Sequence, residues 1–225
     1  MSSATVVHPR IVAASSTNRV KLIDAALACI TRSGTRKITV DDIANEVPCS
    51  RATVYRTFPG GRDAIFGAAV ETEIARFYST LAIPMGRSND LSELVVSTIT
   101  VAAAYLLNHQ TLQYLRDNEP EVVMTHLRFG EMDGALLSAS AFAQPFFARW
   151  MEPEAAGRAA ELVVRTLVSY LLDPVPSFSL ENEEQVGKFA AQFLLPAMVV
   201  PDGPPAKKSR SRSTPQLAKK GRSTS

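Results

Sequence analysis

Nine consecutive residues, Ser50-Arg51-Ala52-Thr53-Val54-Tyr55-Arg56-Thr57-Phe58, carry a dense set of hydrogen-bonding groups. Two guanidiniums, one phenol and three hydroxyls surround a valine and a phenylalanine spaced four apart. At about 100° per residue around a helix, Val54 and Phe58 share one side with Thr57 at its margin. Ala52 and Arg56 then fall nearly opposite, with Thr53 and Tyr55 on the flanks. The apolar pair would hold such a helix down and turn methyl, hydroxyl, phenol and guanidinium groups outward. These groups match thymine methyls, phosphates and guanine edges in a DNA major groove. Backbone N–H groups at the helix start would favour a nearby phosphate. An ordinary solvated face has the same residue types, so the types alone leave both readings open.

The elements around this stretch are signalled locally. Ser50 is placed as an N-cap, with Cys49 and Val54 at the positions of a hydrophobic staple. Upstream, Thr39 is an N-cap with Asp42 three residues on, and Ile38 and Ile43 staple the cap. This predicts a short helix from about Val40 to Val47, ended by Pro48. Before it, Leu22, Ile23, Ala26, Leu27 and Ile30 repeat at helical spacing from Arg19 onward, and Gly34 is a stop. A supporting helix, a short helix, a tight turn and a second short helix form the pattern of a helix-turn-helix.

The segment ITVDDIANEVPCSRATVYRTFPGGRDAIF resembles the N-terminal DNA-binding segment of the TetR family of bacterial transcriptional regulators. The resemblance rests on Thr39, Ile43-Ala44, Ser50, Thr53-Val54-Tyr55, Phe58, the pair Arg62-Asp63 and Ile65. It implies that Ser50, Arg51, Ala52, Thr53, Tyr55 and Arg56 lie on or beside the recognition helix. It further implies phosphate contacts from Thr39, Thr53, Tyr55 and Arg62, and base-edge contacts from Arg51, Ala52 and Arg56. Ala44 would let the two helices cross closely. The chain departs from the family pattern at Val47-Pro48-Cys49, where proline cannot supply a glycine's positive φ, so the turn must take another path. Gly60-Gly61 is one residue longer than the usual connection, and Arg62 replaces a lysine.

The rest of the chain reads as helix, giving an all-α fold with a larger C-terminal domain. The expected organisation is an arm at 1–18, the helix-turn-helix domain at 19–62, an effector and dimerisation domain at 63–198, and a disordered basic tail at 199–225. Helices are expected to stop before Pro84, to run from Leu91 to Asn108, to follow near Thr111–Asn118 and Glu119–Phe129, and to break near Gln144 beside Pro145. Phe142, Phe146, Phe147 and Trp150 could line a cavity or fill a core. The resemblance implies a mostly apolar effector pocket, for which Tyr105, His109, Gln113, Arg128, Phe142, Phe146, Trp150 and Tyr170 are the candidates. The apolar stripe on Glu154–Leu172 is too broad for one buried side. The resemblance implies that this helix and the last one pair with their copies in a four-helix bundle, making a homodimer through Val163, Leu167, Leu171, Val186, Phe189 and Phe193.

Charge is segregated along the 225 residues: net +3 over 1–80, −7 over 81–201 and +6 over 202–225. Basic ends and an acidic body suit a polyanionic partner, here a double-stranded DNA operator, with the tail adding salt-sensitive attraction or serving only as a solvated end. The longest apolar stretch, Leu94 to Leu107, is interrupted by Ser97, Thr98 and Thr100. No membrane partner and a cytoplasmic location are therefore expected. Cys29 and Cys49 lack companions for a metal site, and no metal or other cofactor is expected. No nucleophile elbow, phosphate loop or histidine cluster points to catalysis. The resulting expectation is a sequence-specific repressor released by a small hydrophobic effector; an activator of the same fold, or a lipid-binding or adaptor protein with a vestigial DNA-binding segment, are the alternatives.

Overall fold

The computed structural model describes residues 9–122 and 131–198. The helices are α1 (Pro9–Ser33), α2 (Val40–Glu46), α3 (Arg51–Thr57), α4 (Gly61–Arg87), α5 (Leu91–Asn108), α6 (Gln110–Asn118), α7 (Glu131–Phe147), α8 (Pro153–Leu172) and α9 (Glu183–Phe189). The last continues through a π-helical turn, Ala190–Leu194, into α10 (Leu195–Met198). No strand occurs among the described residues, so the fold is all-α.

Two hydrophobic cores organise these helices. The first gathers Leu22, Ile23, Ala26 and Ile30 of α1, Ile43 and Ala44 of α2, Val54 of α3, Phe58, and Ile65, Ala68 and Ala69 of α4. The second takes Leu81 and Met85 of α4, the inner face of α5, Ala143 and Phe147 of α7, Ala156 to Leu167 of α8, and Val186, Ala190 and Leu194. One continuous helix, α4, thus belongs to both cores. Ile65, Ala68 and Ala69 pack with the first core, so α4 runs across the expected division at 62/63. By length and composition α5 could cross a membrane. In the fold its Leu94, Val95, Ile99, Ala102 and Ala103 are buried in the second core.

Three sequence expectations are corrected. Helix α1 starts at Pro9, not near Arg19, because proline is tolerated in a first turn where its missing N–H has no helical partner. Helix α4 passes through Pro84 to Arg87, with Leu81 and Met85 buried on either side and the Ser88 N–H closing on the Pro84 carbonyl. Helix α7 likewise runs through Pro145 to Phe147 without a break at Gln144, anchored by fully buried Phe147. In the stretch expected to be helical over 119–129, residues 120–122 are helical. Residues 123–130, which include Arg128, and the segments 1–8 and 199–225 lie outside the described residues.

Candidate nucleic-acid interface

The helix-turn-helix is fixed by the caps that its sequence signals. Asp42 N–H donates to Thr39 Oγ1 at 3.2 Å, while Asp42 Oδ2 accepts from the Thr39 N–H at 2.8 Å and its hydroxyl at 2.7 Å, a complete capping box. These bonds hold the Asp42 carboxyl below its ordinary pKa. Ser50 caps α3 by accepting from the Thr53 N–H at 3.2 Å. Between the helices the chain turns without a positive φ. Val47 is extended (φ −101°, ψ 112°), and the Cys49 N–H bonds the Ala44 carbonyl at 3.3 Å. Proline at 48 is therefore accommodated by an extended path in place of a left-handed residue.

Val54 and Phe58 are 0% and 2% exposed, so the apolar pair does hold α3 down. The Arg19 guanidinium lies 4.6 Å from the centre of the Phe58 ring, covering it from α1. On the other side Arg51, Ala52, Tyr55 and Arg56 are exposed, and Thr53 is half-buried. Arg51 Nη1 sits 3.0 Å from Asp41 Oδ2 of α2. The Tyr55 ring rests on the turn into α4, where Gly61 has φ +64° and a Cβ would stand 3.1 Å from Tyr55 Cε1. The second glycine of the lengthened connection is thus the residue that lets α4 begin against Tyr55.

Arg62 is placed differently from the phosphate-facing position that its motif implies. Its Nη2 donates to the Thr35 carbonyl at 2.6 Å, its guanidinium lies 4.9 Å from the Phe66 ring centre, and its buried Nε has no hydrogen-bond partner. The same Thr35 is held from the far domain. Its N–H donates to both Glu119 oxygens at 2.9 and 3.0 Å, and its hydroxyl donates to Oε2. Burial would raise the Glu119 pKa, but the Thr35 donors and nearby Arg36 outweigh it and hold the carboxyl low. Arg36 also pairs with Glu121 at 2.8 Å. Gly34, at φ +79°, makes the close approach possible.

The candidate effector residues separate into groups. Tyr105, His109, Phe142 and Phe146 lie on one continuous aromatic row. Phe146 meets Phe142, Phe142 stacks on Tyr78 with centroids 4.3 Å apart and an interplanar angle of 9°, Tyr78 meets Phe77, Phe77 meets Tyr105, and Tyr105 meets His109. The row ends on a carboxylate. Glu73 Oε2 lies 2.8 Å from His109 Nε2 and accepts from the Tyr105 hydroxyl at 3.1 Å, and Arg76 bridges Glu73 to Asp24 of α1. Burial opposes ionisation of Glu73, yet His109, Tyr105 and Arg76 together hold its pKa low. The Tyr105 phenol is pushed up to about 12 by burial and by Glu73. His109 Nδ1 accepts from the Leu112 N–H and so caps α6, which assigns the proton to Nε2 facing Glu73. Gln113 donates to the Leu107 carbonyl. Trp150 is covered by Arg149 at 4.4 Å, and Tyr170 packs with Phe178 and Phe189; neither joins this row.

Three of the six expected dimer residues are corrected to core positions: Val163, Leu167 and Val186 are 1%, 6% and 0% exposed. The broad stripe of α8 is spent on α5 and α7 within the chain. Phe193 is 55% exposed, and Leu171 and Phe189 are half-buried. The π turn inserts a residue into the helical register and turns Phe193 away from the Val186 side.

Sequence reasoning missed Glu73, Tyr78 and Glu119 as site residues. Glu73 carried one signal, an acidic residue four positions before Phe77 on a helix with a buried apolar face.

A capped, apolar-pinned helix presenting donors outward, joined through one shared helix to a larger helical body, defines a helix-turn-helix DNA-binding transcriptional regulator with an attached helical domain. Residues 22–69 match the family model of the bacterial regulatory proteins of the tetR family. An uncharacterized HTH-type transcriptional regulator of Mycobacterium tuberculosis is 29% identical over 195 residues, 84% of this chain and 89% of that protein. The fold is also that of the TetR family repressor AlkX from a Dietzia strain, implicated in biodegradation of n-alkanes, with a TM-score of 0.55 at 18% identity over 78% of this chain and 94% of AlkX. SmeT bound to triclosan is similar, with a TM-score of 0.51 at 18% identity over 90% of this chain and 100% of SmeT. SmeT is the repressor of the Stenotrophomonas maltophilia multidrug efflux pump SmeDEF.

Proposed function

We propose that the chain is a cytoplasmic homodimeric repressor that leaves its operator when a small, mostly apolar effector occupies the larger domain. The observation that carries this reading is α4, whose Ile65 is buried in the same core as Val54 of the recognition helix while its Glu73, Phe77 and Tyr78 line the aromatic row. A ligand that separates these rings moves the helix whose first turns share the first core with α3. The row supports an effector with a flat apolar body and one polar group, read by the Glu73, Tyr105 and His109 cluster. A structure of the same fold bound to triclosan supports this chemistry.

On DNA, Arg51, Ala52 and Arg56 are assigned to base edges, and Ser50, Thr53 and Tyr55 to phosphates. Thr39 contributes chiefly as the cap of α2. Arg62 reaches a phosphate only if it leaves the Thr35 carbonyl. Two recognition helices on half-sites about 34 Å apart require a two-fold pair, to which exposed Leu172 and Phe193 and half-buried Leu171 and Phe189 would contribute.

The test begins with selection of bound fragments from genomic DNA, followed by fluorescence polarisation on the enriched site. Arg56→Ala is expected to weaken binding by about 1–3 kcal/mol if Arg56 reads a base. Tyr55→Phe, which removes only the phenol hydroxyl, is expected to weaken all sequences alike. Unchanged affinity in both variants would refute this face. Titration with triclosan as probe is expected to release the DNA, with an affinity change equivalent to about 1–3 kcal/mol of coupling.

A further inference from the structure

Helix α2 does more than support α3. Asp41, in the first turn of α2, reaches across the turn to Arg51, with Nη1 and Oδ2 3.0 Å apart and the two side chains 56% and 60% exposed. Asp41 is free for this because Asp42 makes the capping box with Thr39. The Arg51 guanidinium also lies 5.7 Å from the centre of the Tyr55 ring. That ring is seated in turn against Gly61, where a side chain would stand within 3.1 Å of it. Arg51 is therefore held on the outer surface by a carboxylate from one helix and an aromatic ring from its own. An exposed ion pair of this kind contributes little to stability, so a stabilising role accounts poorly for it.

We infer that Asp41 determines base specificity by orienting Arg51 to read a guanine. The pair engages the guanidinium through Nη1, and the planar fork retains further donors for the adjacent N7 and O6 acceptors of guanine. An arginine already oriented loses less rotamer freedom on docking. The Asp41 charge acts in the opposite direction on every other contact, since a carboxylate beside the duplex repels phosphates whatever the sequence. Asp41 is thus a positioning residue that favours one base and disfavours non-specific binding. The inference rests on the reading of α3 as the recognition helix.

The test uses the full chain and the operator selected above. Affinity is measured by polarisation at fixed salt for the operator, for each single base-pair replacement, for 7-deazaguanine at each guanine, and for random duplex. In the wild-type protein, replacing the guanine read by Arg51 is expected to cost roughly 5- to 150-fold, and Arg51→Ala abolishes that preference. Asp41→Asn is expected to strengthen random-duplex binding and to compress the ratio severalfold at that one position, leaving the others unchanged. Asp41→Glu, which keeps the carboxylate, should retain more of the ratio than Asp41→Asn. Both variants should melt with the wild type, and the Asn and Glu forms give independent readings. If Arg51→Ala removes a guanine preference and Asp41→Asn leaves it intact, the inference falls while the regulator reading stands. If Arg51→Ala changes no position, the inference also falls. If the wild-type protein enriches no sequence, the regulator reading falls and the inference with it.

Discussion

The contact between Gly34 and Glu119 makes a sharp quantitative prediction. A Cβ built at Gly34 would stand 2.0 Å from Glu119 Oε1, and the residue has φ +79°. Two costs therefore combine in Gly34→Ala. The left-handed backbone costs an alanine about 1–2 kcal/mol. The methyl group also displaces the carboxylate, and because Glu119 is a flexible side chain it swings away, giving up its bonds to the Thr35 N–H and hydroxyl. Hydrogen bonds to a charged group contribute about 1.5–3 kcal/mol. Gly34→Ala should then destabilise by about 2.5–5 kcal/mol and Glu119→Ala by about 1.5–3 kcal/mol. The double variant should cost about 2.5–5 kcal/mol as well, because the clamp can be lost only once. Urea unfolding followed by circular dichroism on the four proteins gives the coupling energy directly, expected at about 1.5–3 kcal/mol. Additive losses, or a Gly34→Ala cost no larger than the backbone penalty alone, would refute the seating of Glu119 on Thr35.

Two further outcomes follow from the same structure. The Asp42 and Glu119 carboxyls are both held below their ordinary values. Their contribution is therefore fully present above the ordinary carboxylate pKa and is lost as pH falls through the lowered folded-state values; Asp42→Asn and Glu119→Gln should each flatten that acid limb in thermal melts, and an unchanged limb in both would contradict the bonding. Phe193, 55% exposed within the π turn, is placed for the partner subunit, so Phe193→Glu should shift light scattering from dimer to monomer and weaken operator binding, while changing monomer stability by no more than about 0.5 kcal/mol. A dimer of unchanged affinity would remove Phe193 from the interface.

The parts of this fold that could be read from the sequence are those governed by neighbours within one helical turn. Thr39 with Asp42, Ser50 with Thr53, Gly34 after Ile30, and Val54 with Phe58 each act over three or four positions, and the structure forms every one of these contacts. What stayed hidden was the direction of side chains whose partners are remote in the chain. Glu73 meets Tyr105 and His109 across 32 and 36 positions, and Thr35 meets Glu119 across 84. Arg62 has the charge and place of a phosphate ligand, yet its direction is set by a carbonyl 27 residues earlier. The α8 stripe shows the same limit. Periodicity marks Val163 and Leu167 as apolar but carries no information on whether the covering surface is α7 or a second subunit.

The two long-range clusters have different consequences for control. If α4 alone linked the two cores, a tilt of that helix would carry α3 with it while leaving the α1–α2 turn free to lag. The Glu119 clamp removes that freedom by tying the turn to the chain just after α6, and His109 ties the start of α6 to Glu73 on α4. The reading head is thus gripped through α4 and through the Glu119 clamp, and both grips lead back to the carboxylate at the end of the aromatic row. A ligand group that draws Glu73 away from His109 would loosen the α6 cap and load α4 in one event. Breaking the second grip alone, by Glu119→Ala, should therefore leave DNA binding by the unliganded protein nearly intact and reduce how far an effector weakens it. A full effector response in that variant would assign the coupling to α4 alone.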